Sequence, residues 1–153
     1  MSYYLQAIIS NSDHFNKLSI FLKNTTSIVP LIDGYSIIPL TDGAFKLLNE
    51  EDQEVILIKD YSHLTVKLYS ILMQFSQIDK IGYFEAEYFG GTGSQCAILF
   101  ENGNAVFESI GKQDSINRLL KKIGVKKKFF KDRFDYIGLN KYRTTEDWLK
   151  LNS

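Results

Sequence analysis

Two glutamates spaced two residues apart, Glu85 and Glu87, stand immediately before Tyr88-Phe89-Gly90-Gly91-Thr92-Gly93-Ser94-Gln95. Each half of this stretch has a known chemical use. Paired carboxylates can act as acid and nucleophile on a glycosidic bond, but only from opposite sides of a sugar-sized cleft and in unequal environments. An i, i+2 pair on one strand points the same way from one surface, so a solvent-facing strand edge is the expectation. Were Glu85 buried, a basic partner such as Arg133, Lys141 or Arg143 would be expected beside it.

A glycine cluster can cradle a phosphate with its backbone amides. Gly90-Gly91-Thr92-Gly93 lacks the lysine of a P-loop and the third glycine of the dinucleotide fingerprint, and the following residues read as a strand. No helix N-terminus is therefore expected at an anion. The glycines instead permit positive φ and close backbone approach in an irregular turn or bulge. Such a loop would expose Tyr88, Phe89 and Gln95 together, and these are interface-type side chains.

His14 and His63 lie about fifty residues apart with no histidine or cysteine at ligand spacing, which gives no metal signature. Cys96, the single cysteine, excludes an internal disulfide and reads as a small buried thiol in a strand. No nucleophile elbow is present. No metal, cofactor or catalytic residue is expected.

The elements that must position these residues are legible. Tyr83–Phe100, the Asn102-Gly103 turn and Ala105–Phe107 form a meander of three strands. Tyr3–Ile9 reads as a strand, and Ile28–Ile32 with Tyr35–Leu40 as a hairpin turning at Asp33-Gly34. Pro30 and Pro39 must then sit at an edge, a strand end or a bulge. Helices are expected from a Ser12 cap to Leu22, from an Asp42 cap to Leu48, and from about Ser62 to Gln77. A fourth runs from an Asp114 cap to a stop at Gly124. Thr144-Thr145-Glu146-Asp147 resembles a capping box ahead of Trp148, whose ring should dock on the core.

With 153 residues, one α+β domain spanning 1–153 is expected, an antiparallel sheet with a meander at about 80–109 packed by several helices. Eleven Phe and nine Tyr leave rings over for a binding surface. The first residues lack a basic signal-peptide start, and no apolar run approaches the roughly 20 residues that span a bilayer. A soluble, cytoplasmic protein without membrane contact is the default expectation.

Zero net charge conceals a segregation. Residues 1–110 hold 6 Lys against 13 Asp and Glu, net −7; residues 111–153 hold 12 Lys and Arg against 5, net +7. The acidic peak is Glu50-Glu51-Asp52-Gln53-Glu54, and the basic run extends from Arg118 to Arg133. Either the charges only solvate helix ends, or they steer a charged partner.

Two segments carry a family resemblance. Glu87–Ala97 and Asp132–Leu149 resemble the YFGG-x-G-x-Q and FD-x-x-GL…R-x-TEDWL signatures of a family of small bacterial proteins. Tyr4–Ile9 and Ile38–Asp42 are also similar, so the resemblance spans nearly the whole chain. It implies no established activity; by analogy of type it suggests an immunity protein that binds a cognate toxin.

The expected function is a protein-binding module acting by occlusion, with contacts from Tyr88, Phe89, Gly90, Gly91, Gln95, Glu85 and Glu87. The alternative is a nucleic-acid or polyanion binder using residues 118–133, with Phe129 and Phe130 stacking on bases. An enzyme of unknown class is third.

Overall fold

The computed structural model describes residues 2–11, 13–49, 54–128 and 130–150. The expected Ser12 cap, most of the acidic peak and Phe129 lie outside the described residues.

Apolar residues on both parities of the central strands require cover on both sheet faces, and the chain supplies it in order. Among the described residues six strands, β1 (Tyr3–Ser10), β2 (Val29–Pro30), β3 (Ser36–Pro39), β4 (Ile81–Phe89), β5 (Thr92–Glu101) and β6 (Asn104–Lys112), form one sheet. Their order is β2-β3-β1-β4-β5-β6, every neighbouring pair antiparallel. The α+β class and the meander are therefore as expected. Pro30 ends the two-residue edge strand and Pro39 is the last residue of β3, where a missing N–H does least harm.

Three early helices, α1 (Phe15–Phe21), α2 (Asp42–Leu48) and α3 (Val66–Phe75), cover one face. Phe15, Leu18, Leu48, Leu68 and Leu72 pack there on Ile8, Ile38, Tyr83, Ile98 and Phe100. Three late helices, α4 (Ser115–Ile123), α5 (Arg133–Ile137) and α6 (Asp147–Lys150), cover the other. Leu119, Leu120, Ile137 and Trp148 meet Leu5, Ile9, Phe84, Ala97 and Leu99. Trp148 is buried, as the sequence suggested.

The helix starts differ from expectation in instructive ways. α2 is capped by Thr41, whose hydroxyl accepts the Ala44 N–H at 3.0 Å, while Asp42 sits in the first turn. α3 begins at Val66 behind a Thr65 cap, which accepts the Leu68 N–H at 3.1 Å. Ser62 and His63 thus stay outside the helix with their amides free for another acceptor. Asp114 occupies the cap position of α4 without a capping bond and pairs with Arg118 at 2.9 Å; Gly124 ends the helix in the left-handed region as expected. Thr144 accepts the Asp147 N–H at 3.3 Å, but the returning half of a capping box is replaced by an Asp147–Lys150 pair at 2.9 Å.

Residues 143–145 extend the sheet beside the start of β1. The Tyr4 N–H donates to the Arg143 carbonyl at 2.7 Å, Tyr4 and Thr144 form a parallel bridge, and the Gln6 N–H reaches the Thr145 hydroxyl at 3.3 Å. Further along, β3 takes over as the neighbour of β1, from Ala7 onward.

Candidate functional site

Gly90-Gly91 is no irregular loop. Phe89 pairs directly with Thr92, so only two residues turn the chain, and their φ values of 60° and 81° are those a type I′ hairpin requires. A Cβ on Gly93 would collide with the Glu87 carbonyl and the Tyr88 backbone, so close strand approach explains the third glycine. The tight turn fixes the register, and the register decides which side chains share a face.

Strand alternation separates the residues the sequence grouped. Tyr88 and Gln95 face α4. The Tyr88 hydroxyl donates to Gln113 Oε1 at 3.0 Å, and Gln113 Nε2 returns to the Gly93 carbonyl at 3.2 Å. Gln95 Oε1 accepts the Ile116 N–H at 2.9 Å and so does the capping expected of Asp114. Gln95 and Phe89 are consequently not presented together. Glu85, Glu87 and Phe89 project from the opposite face.

Glu85 is 5% exposed, not solvent-facing. Among the described residues no basic side chain pairs with it, and the expected Arg133 instead donates to the Val125 carbonyl at 2.8 Å. Its partners are neutral donors. Oε1 accepts the Ser62 N–H at 2.7 Å and the Ser62 hydroxyl at 3.1 Å; Oε2 accepts the His63 N–H at 2.8 Å and the Tyr83 hydroxyl at 2.7 Å. Four donors on two oxygens satisfy a buried carboxylate without a counter-charge. Their effect is to clamp the segment before α3 onto β4, and that segment carries His63.

Above the clamp lies a half-exposed group of rings. Tyr4 stands opposite Glu87 in the β1–β4 ladder. Its ring lies 6.1 Å from His63 and 6.3 Å from Phe89, and His63 is edge-on to Phe45 at 5.2 Å. Phe89 is 60% exposed at the hairpin tip. Glu87 borders the rings, its Oε1 3.5 Å from Ser62 Oγ, and nearby the Asp42 N–H donates to Glu146 at 3.3 Å. Burial pushes the Tyr4 phenol upward, and the negative charges of Glu87 and Asp42 add to the shift. Glu85, Glu87, Asp42 and Glu146 take part in none of the ion pairs among the described residues.

Compared with family models, curated proteins and solved structures, this chain matches none. Its chemistry must be read from the side chains alone.

Ser62 Oγ lies 2.7 Å from His63 Nδ1, and Tyr4 Oη 3.3 Å from Nε2, which raises the question of a serine nucleophile. The network opposes one. The Ser62 proton is contested by Glu85 at 3.1 Å; in the tautomer that satisfies both contacts, Nδ1–H donates to Oγ and Nε2 accepts from Tyr4, so histidine holds a proton toward serine where a base would remove one. The Ser62 and His63 amides serve Glu85, leaving neither for an oxyanion, and two carboxylates place negative charge where an oxyanion would develop. His14 is remote from this group and pairs with Asp79 at 3.0 Å. No group of three metal-ligating side chains occurs among the described residues, and no helix among them is long and apolar enough to cross a membrane. Cys96 is buried as expected, and burial raises its thiol pKa.

Tyr4, Phe45 and Ser62 are not among the site residues expected from the sequence, and His63 enters there only as a residue without a metal signature. Tyr4 alone left a signal, since residues of its parity in β1 lie on the face away from Leu5 and Ala7.

Proposed function

We propose that this chain is a protein-binding module, an immunity protein that neutralises a cognate bacterial toxin in the cytoplasm by occlusion and without a catalytic step. The observation that supports it is the 60% exposed Phe89 ring, carried on a two-residue turn and continuous with Tyr4, His63 and Phe45. A rigid hairpin presents this anchor already ordered, which lowers the entropy lost on docking. Glu87 beside the rings supplies a charge for partner choice. The family resemblance of the two sequence signatures points the same way.

The product of a neighbouring toxin gene is the partner to test by co-purification. Phe89→Ala should weaken capture about thirtyfold, the effect of an aromatic hot spot, with the unfolding temperature unchanged. Capture by the variant as strong as by the parent protein would overturn this placement.

One observation favours a second reading, a polyanion binder. Lys126, Lys127 and Lys128 are exposed and Phe130 is fully exposed, on the far side of the sheet from the ring group. Sub-micromolar, steeply salt-dependent anisotropy changes with single-stranded RNA would put that reading first.

A further inference from the structure

The ring group combines two features. One is a row of aromatic surfaces; the other is carboxylate charge that joins no ion pair among the described residues. Phe89, Tyr4 and His63 form a continuous row, with successive centroids 6.3 and 6.1 Å apart. Glu87 lies directly across the ladder from Tyr4 and two residues before Phe89 on the same strand face. Glu85 lies beneath, bonded to neutral donors, so its charge is undiminished by any ion pair among the described residues.

An occupant that is only apolar would cover Glu87 and leave a carboxylate desolvated and unpaired. An anionic occupant would meet repulsion from Glu87 and Glu85. A cation suits both components: its charge pairs with Glu87, and its body lies over electron-rich ring faces. A guanidinium fits better than an ammonium because it is planar, weakly hydrated and stacks on rings while donating to a carboxylate. We infer that the Phe89–Tyr4–Glu87 surface is a receptor for an arginine side chain of a basic protein partner. This rests on the protein-binding reading of the same surface and specifies the chemistry of what binds there.

The test uses Nα-acetyl-arginine methylamide as probe, titrated into the whole isotope-labelled protein by NMR, with the neutral isostere acetyl-citrulline methylamide as control. Saturable shifts at Tyr4, His63 and Phe89 with the arginine probe alone are expected. Glu87→Gln and Phe89→Leu should each weaken that binding about two- to fivefold, the range for one exposed cation–π or charge contact. Phe89→Leu keeps an apolar side chain on an exposed position, so its fold is retained and its effect reports the ring.

Equal shifts with citrulline would overturn the inference, as would shifts without saturation spread over all acidic residues. Sedimentation showing a dimer that Phe89→Leu dissociates would assign the surface to a second copy and overturn it too. The two readings fail separately. Toxin capture lost in Phe89→Ala with no arginine binding leaves the docking surface and removes the guanidinium; arginine binding with no loss of capture in Phe89→Ala does the reverse.

Discussion

Replacing Glu85 with glutamine changes one atom and exchanges an acceptor for a donor at the centre of the clamp. In the wild type both oxygens accept, Oε1 from the Ser62 amide and hydroxyl, Oε2 from the His63 amide and the Tyr83 hydroxyl. Whichever way the new amide is turned, its NH2 faces a backbone N–H, which cannot accept, and a hydroxyl, which accepts only by turning its own proton away. Two bonds to a charged acceptor disappear, at about 1.5–3 kcal/mol each. Ser62 and His63 are half-buried and water relieves part of this, whereas the Tyr83 hydroxyl is fully buried and has no such recourse. The net loss should be about 3 kcal/mol, or about 6–12 °C in Tm for a domain of this size. Urea denaturation gives the first figure and calorimetry the second. A Glu85→Gln/Tyr83→Phe double variant removes one of the opposed donors, so its loss should fall short of the summed single losses by about 1 kcal/mol. Amide exchange at Ser62 and His63 should accelerate in parallel, since the clamp protects both. A Glu85→Gln protein within about 0.5 kcal/mol of the parent, or strict additivity with Tyr83→Phe, would refute the clamp.

Gly93→Ala should destabilise the hairpin, because the added Cβ meets strand backbone that cannot step aside; an unchanged urea midpoint would contradict the close approach. Trp148→Ala, at a ring 2% exposed and stacked edge-on with Tyr142 at 4.8 Å, should cost about 3–5 kcal/mol by chemical denaturation, and a loss under about 1 kcal/mol would show the ring dispensable. Alkaline pH should unfold the protein. Burial holds the Tyr61 and Tyr83 phenols far above their ordinary pKa, with Glu108 and Glu85 respectively adding to it, so the folded state keeps protons that the unfolded state releases near pH 10. Stability is therefore intact below about pH 10 and declines above it by about 3 kcal/mol per pH unit for the two groups together. Absorbance at the phenolate band should rise for these rings only as circular dichroism is lost, and full ionisation of a still-folded protein would contradict their burial.

The meander was legible because its signals are local: alternating apolar residues, an Asn-Gly turn, and strand-forming side chains between Ile81 and Lys112. α4 was equally plain from its apolar face and Gly124. The site was less so. Glu85 and Glu87 look like surface carboxylates at i, i+2, and the donors that bury Glu85 come from residues 62 and 63, more than twenty positions upstream, with no motif to announce them. Reading α3 from Ser62 hid those amides inside a helix they do not join. The separation of Phe89 from Tyr88 and Gln95 follows from strand parity once Gly90-Gly91 is read as a two-residue turn; an irregular loop left the register open. Phe45 and His63 meet only through tertiary packing of α2 against the α3 approach, and no short window of sequence contains both.

The bond from Tyr4 to Arg143 sets an order on the life of the molecule. β1 is made well before residues 143–145, yet these fill the place beside its opening residues. Contacts some 140 residues apart close slowly, since the chain between them must be organised before they reward it. The surface bearing Tyr4 therefore takes its final form only once residues 143–145 are in place. A nascent chain interrupted before Arg143 would carry Phe89 on its hairpin while the strand holding Tyr4 lacked its neighbour. Completion of the ring group thus depends on residues 143–145, far from it in sequence.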